Sequence, residues 1–539
     1  MTISDDLGTL IRENFTHKPT KEQGKAISLL SEFVLSRKSD SLFLLRGYAG
    51  TGKTSLLAAL VRTMQQLQQR VMLLAPTGRA AKVLSSFAGA PAYTIHRKIY
   101  RQKSLVDMDN FQNDVNLHKD TLFIVDEASM IANYSESNTI FGSGRLLDDL
   151  MHYVYSCEGC RLLLVGDTAQ LPPVGEEESP ALNRLALEGY GMEVTEYCLT
   201  EVVRQLEESG ILWNATMLRR LIQDDEMYAF PKLRTKSFPD VCVVPGSELI
   251  DALDDSYRQY GTDGTIVVTR SNKRANIFNN GIRARILDCE EELSGGDMIM
   301  VAKNNYYWTE REQEQGARSK GQENTIEGQG ARSKEQENTI EEQGVRGKEQ
   351  ENTIEEQGVR GKEHESSNPL APCPSPLAPF SFIANGDVAV VRRIRNERSF
   401  YGFRFADAII QFPDYDNKEM ELTVLLDTLQ SEAPALTRQQ QQTLFTAVWE
   451  DYPELTNKRD RMKRLRQDPY YNALQIKYAY AVTCHKAQGG QWEHVYIDQG
   501  YITEDMLAPD YFRWLYTAIT RATEKVFLIN WPDSALSDE

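Results

Sequence analysis

The sequence predicts an α/β protein built on a parallel sheet, because three apolar strand-like runs each end in residues suited to nucleotide binding. The first run, residues 42–45, leads into a glycine-rich loop and a helix-like segment, 56–67. The second ends in Asp126 and Glu127, and the third in Asp167. Since ligands of open α/β sheets bind at the carboxyl ends of the strands, the three runs predict one site.

The glycine-rich loop, residues 47–54, has the GxxxxGK[ST] pattern between a strand and a helix. Its glycines let backbone N–H groups face phosphate, and the helix N-terminus favours negative charge. We expect Lys53 to reach the β- and γ-phosphates of a nucleoside triphosphate and Thr54 to bind Mg²⁺. The predicted contacts are Gly47, Gly50, Thr51, Gly52, Lys53 and Thr54. A ligand-free glycine-rich turn is the alternative.

The two later strand ends indicate hydrolysis. Asp126 is suited to hold Mg²⁺ through water, and Glu127 to polarise the attacking water. Gln170, which follows the third run, is placed to sense the γ-phosphate. Taken alone, each segment also fits a buried strand that ends in a solvated turn.

Length and charge constrain the function. A chain of 539 residues exceeds one hydrophobic core, so we expect two to four domains. The formal net charge of −18 is opposite to that of a general nucleic-acid coat protein, so any strand binding must use local patches. No apolar run of membrane length and no cleavable N-terminal segment occurs in the sequence, which predicts a soluble cytoplasmic protein without a membrane partner.

An insert over residues 308–380 interrupts the pattern. Glu-Asn-Thr-Ile recurs at 323, 337 and 351, and a proline-rich tail follows. A 14-residue period equals two heptads, but so few apolar residues are too weak for a coiled-coil seam, and we predict a disordered loop without a catalytic role. The flanking segments 296–301 and 385–391 read as strands, as if one small β-barrel had been split.

The order of the motifs resembles that of superfamily 1 DNA helicases of the RecD and Dda branch. The blocks that carry the resemblance, besides the P-loop and the acidic pair, lie around Gln23, Pro76-Thr77, Thr94-Ile-His96, Arg204, Thr483-Cys-His485-Lys486-Ala-Gln488-Gly489 and Thr520-Arg521. One block departs from the family pattern: Gly490-Gln491-Trp492 stands where relatives carry a small residue and an acid.

The resemblance implies roles for these residues. It assigns adenine recognition to Gln23, a nucleotide contact to Gly489, and closure of the cleft on the triphosphate to Arg204 and Arg521. With Lys53, Asp126, Glu127 and Gln170, these arginines form the predicted catalytic set. The implied single-strand contacts are Pro76, Thr77, Thr94, His96, Thr483, His485 and Lys486.

The resemblance also implies two RecA-like P-loop NTPase domains and a small split SH3-like β-barrel. The predicted boundaries are 1–196 for the first motor domain, 197–296 and 478–539 for the second, 297–307 and 381–477 for the accessory barrel and helical region, and 308–380 for the insert. Residues 97–120 are the candidate strand-separating pin, with Phe111, Leu105 or Leu117 at its tip. A plain surface loop is the alternative there.

The implied function is an ATP-dependent DNA helicase that moves 5′ to 3′ on single-stranded DNA and opens forked DNA in repair or recombination. We expect ATP and Mg²⁺ as cofactors and a monomeric motor; the sequence identifies no protein partner. Two alternatives remain open: a translocating or RNA-directed motor that does not unwind duplexes, and a nucleotide-gated switch that only binds ATP.

Overall fold

The computed structural model describes residues 3–36, 38–102, 111–133, 142–202, 209–312 and 383–537. Two units divide the chain: Met1–Asn305 with Ser375–Glu539 form one, and Tyr306–Pro374 the other. All elements named below belong to the first unit. Most of the predicted insert, residues 313–380, lies outside the described residues.

The described helices and strands alternate along the chain. The helices are α1 Ile3–Glu13, α2 Lys21–Leu35, α3 Lys53–Gln66, α4 Gly78–Ala88, α5 Ile95–Ile99, α6 Leu146–Tyr155, α7 Arg184–Glu188, α8 Gly210–Gln223, α9 Leu249–Tyr260, α10 Asn272–Arg285, α11 Arg438–Glu450, α12 Lys458–Arg466, α13 Cys484–Ala487 and α14 Pro509–Ile519. The strands are β1 Ser41–Gly47, β2 Arg70–Ala75, β3 Ala92–Thr94, β4 Tyr100–Gln102, β5 Phe111–Asn113, β6 Thr121–Val125, β7 Arg161–Gly166, β8 Glu193–Leu199, β9 Leu233–Arg234, β10 Val241–Val244, β11 Thr265–Thr269, β12 Met298–Val301, β13 Val388–Phe400, β14 Phe403–Phe412, β15 Lys418–Leu425, β16 Leu474–Tyr478, β17 Ala481–Thr483, β18 Trp492–Asp498, β19 Ala522–Ile529 and β20 Leu536–Ser537.

The first sheet contains six parallel strands in the order β3-β2-β6-β7-β1-β8. Its central strands are buried on both faces, which explains their continuous apolar runs. Helices α1 to α3 pack on it and share one core with β1. β8 pairs with β1 through Leu199, so the predicted boundary at 196 falls within this strand.

The second sheet contains five parallel strands in the order β10-β19-β18-β11-β17. Two of its strands precede the barrel in the chain and three follow it. Two all-parallel sheets with helices between the strands confirm the predicted α/β fold class.

A closed five-stranded barrel, β12-β13-β14-β15-β16, lies between the two parts of the second sheet in the chain. β12 precedes the insert, and it pairs with β13, which follows the insert. The predicted split barrel is therefore confirmed. Helices α11 and α12 pack on one end of this barrel over Phe403 and Phe405. Within the described residues, no helix is long and apolar enough to cross a membrane.

Candidate functional site

The P-loop connects β1 to α3 and takes the backbone conformation that its glycines allow. Gly50 and Gly52 have φ angles of +75° and +81°, a region that other residues rarely adopt. A Cβ atom at Gly50 would lie 2.9 Å from Leu212 Cδ2. Both the conformation and the packing at this position therefore require glycine.

The Lys53 ammonium group lies over the loop that it follows. Its Nζ donates to the carbonyl oxygens of Gly47 at 2.6 Å and Tyr48 at 3.0 Å, and lies 3.9 Å from Asp167 Oδ2. The amine is thus held at the mouth of the loop, where a phosphate-binding lysine is expected.

The acidic pair follows β6. Asp126 Oδ1 accepts a hydrogen bond from the Glu127 backbone N–H at 2.9 Å, and Glu127 has a φ of +53°. Burial raises the pKa of Asp126, the Glu127 carboxylate raises it further, and the Lys53 ammonium acts against both.

This carboxylate and the Thr54 hydroxyl, in the first turn of α3, are oxygen groups of the kind that Mg²⁺ prefers. The described residues contain no cluster of three or more His, Cys, Asp or Glu suited to a metal ion. A Mg²⁺ ion held by Asp126 and Thr54 would therefore keep positions for phosphate oxygens and water, as this cation usually does.

Gln170 follows β7 and is 6% exposed. Its Oε1 is buried and has no hydrogen-bond partner among the described residues. Since buried polar atoms are normally paired, this oxygen fits a ligand or a water in the cleft. The predicted position of Gln170 at a strand end agrees with the sheet, while its role stays a prediction.

Helix α14 belongs to the second half of the protein, which carries the second sheet, and it contacts the P-loop of the first half, which carries the first sheet. The Tyr516 hydroxyl donates to Asp167 Oδ2 at 2.7 Å and accepts from the Ala49 backbone N–H at 2.8 Å. One residue later, Thr517 Oγ1 accepts from the Leu171 N–H at 2.9 Å. Tyr516 and Thr517 of the second half thus contact the P-loop and the segment after β7, both of which belong to the first half.

The two predicted cleft arginines differ in what the structure describes. Arg204 lies outside the described residues. Arg521 is 5% exposed and donates to Thr517 O, Gly490 O and Thr520 Oγ1 at 3.1 to 3.2 Å. All three acceptors lie on α14 and its neighbours, so the guanidinium is held within the second half.

Helix α8 also contacts the P-loop, through residues that the motifs did not indicate. The Arg219 guanidinium lies 4.6 Å from the centre of the Tyr48 ring, and Gln223 Nε2 donates to the Tyr48 hydroxyl. The sequence signal for this contact is a charged residue among apolar ones: Arg219 shares the buried face of α8 with Ala215 and Leu218, and arginine is rarely buried without a partner.

Gln23 lies next to the P-loop, as the adenine assignment requires. It is 3% exposed, and its side chain forms a capping box with Thr20 at the start of α2. Its Nε2 donates to the Thr51 carbonyl at 3.0 Å. The amide is therefore fixed against the nucleotide loop, and its adenine contact stays a prediction.

Three of the predicted strand contacts follow β2 and β3. Pro76 is half-buried beside Thr77, which caps α4 by accepting from the Ala80 N–H at 3.2 Å. Thr94 caps α5 by accepting from the Arg97 N–H at 3.3 Å. The two hydroxyls thus stabilise helix N-termini at one edge of the first sheet.

Apart from Thr483, the other predicted contacts carry basic groups whose pKa is lowered by burial. Burial lowers the pKa of His96 to about 4, with Asp149 acting against it, so its imidazole is neutral at pH 7. Burial also lowers the pKa of His485 and of Lys486. These two residues follow Thr483, which ends β17.

The segment that departs from the family pattern contacts α4. A Cβ at Gly489 would lie 2.8 Å from Ala80 Cβ, and the Arg79 guanidinium lies 3.9 Å from the centre of the Trp492 ring. Gly489 therefore lies against the first turn of α4, which the predicted strand contact Thr77 caps, and its nucleotide contact stays a prediction. Trp492, which departs from the family pattern, thus stacks with the Arg79 guanidinium of α4.

The barrel contacts the same helix. Lys82 of α4 forms an ion pair with Asp414, in the turn between β14 and β15. The adjacent Tyr415 hydroxyl donates to Asp387 Oδ2 at 3.0 Å, and a Cβ at Gly78 would lie 2.5 Å from Asp387 Oδ1. The barrel thus covers the N-terminus of α4.

The candidate pin has a hairpin base, since β4 pairs antiparallel with β5. Its central residues 103–110, which include Leu105, lie outside the described part of the chain. Leu117 is 85% exposed, beyond the hairpin base. The pin assignment stays a prediction.

Comparison with known families identifies both halves. A family model described as an AAA domain matches residues 21–238, and one described as a UvrD-like helicase C-terminal domain matches residues 478–529. Residues 21–238 include the first sheet from β1 to β8 together with α8, and residues 478–529 include β17, β18, α14 and β19.

Similar proteins include two curated helicases. The chain is 34% identical over 172 residues to the ATP-dependent RecD2 DNA helicase of Deinococcus radiodurans, which is 32% of this chain and 21% of that protein. It is 25% identical over 189 residues to the ATP-dependent DNA helicase PIF7 of Trypanosoma brucei brucei, covering 32% and 18% of the two proteins. The matches span 13% to 34% of the lengths of the curated relatives.

Among solved structures, the chain is similar to a Pif1 helicase from Bacteroides in complex with ADP-AlF3 and single-stranded DNA, at 14% identity and a TM-score of 0.44, covering 97% of this chain and 95% of the other. The motif order and the two matching domain models are similar to those of superfamily 1 helicases of the RecD and Dda branch, and the two models fall on the two parallel sheets.

Proposed function

We propose that this chain is an ATP-dependent DNA helicase that translocates 5′ to 3′ on single-stranded DNA and unwinds the duplex ahead of it. One observation carries the proposal: the Tyr516 hydroxyl of the second half binds both the P-loop N–H of Ala49 and the Asp167 carboxylate. A nucleotide at the P-loop would therefore act on both halves at once. Coupling of this kind is what a motor needs and what a simple ATP-binding protein does not.

Hydrolysis of ATP in this cleft would follow from the side chains at the ends of β6 and β7. Water attacks the γ-phosphorus, the bond to the β–γ bridging oxygen breaks, and ADP and phosphate leave. Glu127 would accept the proton of the water, and the unpaired Gln170 Oε1 would orient it. Mg²⁺ held by Thr54 and Asp126 would neutralise the charge that develops on the phosphate oxygens.

Lys53 would bind the β- and γ-phosphates, as its position over the loop supports. Arg204 and Arg521 are proposed to stabilise the transition state from the second half. For Arg521 this role requires the guanidinium to leave the oxygens of Thr517, Gly490 and Thr520, to which it donates three hydrogen bonds. Closure of the cleft on ATP would supply that movement.

Single-stranded DNA is proposed to cross the ends of β2, β3 and β17, where Thr77, Thr94 and Thr483 lie. Hydroxyls and backbone N–H groups can bind phosphates without a strongly basic surface, which suits a chain of charge −18. The barrel, which covers the N-terminus of α4 through Asp387, would enclose the strand.

The finer parts of the proposal come with the family. They are the 5′-to-3′ direction, a substrate of forked DNA, a monomeric cytoplasmic motor, a role in repair or recombination, and strand separation by the hairpin of β4 and β5. The antiparallel pairing of these two strands supports the last assignment.

Hydrolysis and direction can be tested together on single strands. We expect ATP hydrolysis to rise with single-stranded DNA, to rise less with RNA of the same sequence, and to be lost in Lys53→Ala. A 5′-to-3′ motor displaces streptavidin from a 3′-biotinylated strand and leaves a 5′-biotinylated one bound. Displacement from the 5′ end alone would contradict the direction, and ATP binding without DNA-stimulated turnover would favour a switch.

A further inference from the structure

The P-loop tyrosine Tyr48 lies against the inner face of α8. Gln223 donates to its hydroxyl, and the Arg219 guanidinium stacks over its ring at 4.6 Å. One end of the same helix presses on the loop, because Leu212 Cδ2 would lie 2.9 Å from a Cβ at Gly50. Helix α8 therefore contacts the nucleotide loop along its length.

The charge of Arg219 is poorly neutralised at this position. The side chain is 9% exposed, and its Nη1 donates to the Thr200 carbonyl at 3.1 Å. Its Nε is buried without a hydrogen-bond partner, and in the described ranges no carboxylate lies within 4.0 Å of it. A buried guanidinium normally has an anionic partner, and Arg219 has none among the described residues although it lies beside a phosphate-binding loop.

The Arg219 charge also acts on two other titratable groups, Tyr516 and Glu22. Burial raises the pKa of Tyr516, whose hydroxyl lies on the Ala49 N–H, and the Arg219 charge acts in the opposite direction. Burial also acts to raise the pKa of Glu22, but hydrogen bonds from Thr200 and Glu201 together with the Arg219 charge lower it overall. The guanidinium thus lies within electrostatic reach of two groups that border the cleft.

We propose that Arg219 binds the terminal phosphate of the nucleoside triphosphate, as a further cleft arginine that the helicase motifs do not contain. The inference rests on the proposed ATP site. A ring face and one carbonyl hold a guanidinium more weakly than a phosphate does, so the side chain can turn from Tyr48 to the nucleotide. Arg521, by contrast, would have to break three hydrogen bonds first.

The test compares triphosphate with diphosphate binding. Affinities of the full chain for a non-hydrolysable ATP analogue and for ADP are measured in Arg219→Ala and in Arg220→Ala, whose side chain is the exposed neighbour on α8. Loss of a charge-assisted contact to the γ-phosphate should weaken the analogue about tenfold or more, with ADP changed less than about twofold. Arg220→Ala should bind both as the wild type does.

A second variant guards against loss of folding. Arg219→Gln keeps a donor for the Thr200 carbonyl without the charge, and the same selective loss is expected. If Arg219→Ala and Arg219→Gln weaken the ATP analogue and ADP equally, or leave both affinities unchanged, the proposed role of Arg219 is overturned and the proposed function is not. Wild-type protein that binds neither nucleotide would overturn the proposed function together with it.

Discussion

The Tyr516 hydroxyl donates to Asp167 Oδ2 at 2.7 Å, and the same oxygen accepts from the Ala49 N–H at 2.8 Å. Tyr516 and Asp167 are each 1% exposed. Water has little access to the hydroxyl and the carboxylate at this depth, so it would replace a lost partner of either group poorly. One oxygen atom of α14 therefore joins the P-loop to the end of β7.

Tyr516→Phe removes that oxygen and keeps the ring. The Asp167 carboxylate and the Ala49 N–H would each lose a buried partner, which should cost about 1 to 3 kcal/mol of unfolding free energy. Thermal unfolding of the ligand-free protein measures the effect. Tyr501→Phe is the control, since Tyr501 is 84% exposed; equal melting temperatures for the two variants would contradict the account.

Gly50 is required for both conformation and space. In Gly50→Ala, strain at a φ of +75° adds to a contact of 2.9 Å with Leu212 Cδ2, so the loss of stability should exceed the roughly 1 kcal/mol of strain alone.

Gly175→Ala is the matched control for Gly50→Ala. Gly175 has a φ of +87°, and a Cβ added there would have no other atom within 4 Å, so this variant shows the strain without the clash. Chemical denaturation of both variants gives the difference. Equal losses of unfolding free energy would show that α8 does not press on the P-loop.

The stack of Arg79 on Trp492 joins α4, which begins after the proposed strand contact Thr77, to the segment after α13. Arg79→Met keeps the apolar stem and removes the charge. A cation–π contact contributes about 0.5 to 2 kcal/mol, so its loss in Arg79→Met should reduce the stimulation of ATP hydrolysis by DNA by about twofold to thirtyfold. The basal rate without DNA should change less.

Arg234→Met provides the comparison, because Arg234 stacks on Trp213 at 4.2 Å, away from α4. It should leave the DNA stimulation unchanged. If both variants lose stimulation to the same degree, the Arg79 contact has no special part in coupling DNA to the cleft.

His96 makes stability depend on pH. Burial lowers its pKa to about 4, against 6.5 for the ordinary side chain. In the unfolded chain His96 binds a proton as the pH falls below 6.5, whereas in the folded protein it binds one only near pH 4. The free energy of unfolding should therefore fall by at most about 3 kcal/mol between these two pH values.

His96→Gln should therefore lose less stability between pH 6.5 and pH 4 than the wild type does. Urea unfolding at a series of pH values measures the difference, with the exposed His17→Gln as the control. Identical pH profiles for wild type and His96→Gln would show that His96 is not buried in its neutral form.

Strand ends made much of the site predictable. Lys53, Asp126 and Gln170 follow apolar runs, and parallel strands bring their carboxyl ends to one edge, so local pattern was sufficient to predict their positions, while their roles stay predictions. The split barrel was predictable because strand patterns stand on both sides of the insert, and Ile299 and Ala389 of these two segments pair directly.

Contacts that depend on tertiary packing were not predictable in this way. Ala49 and Tyr516 are 467 positions apart, and no local pattern shows that a distant helix would place its hydroxyl on the P-loop. Arg219 was missed because an arginine on an amphipathic helix usually lies at the solvent face. The boundary at 196 was misplaced because β8 continues to Leu199 as an edge strand of the first sheet.

ATP hydrolysis in this cleft is proposed to drive strand separation. The most direct measurement is ATP-dependent unwinding of two matched partial duplexes, one with a 5′ single-stranded tail and one with a 3′ tail, beside Lys53→Ala. We predict that only the 5′-tailed duplex opens and that Lys53→Ala opens neither. DNA-stimulated hydrolysis of ATP with both duplexes intact would contradict the claim and would indicate a translocase that does not unwind DNA.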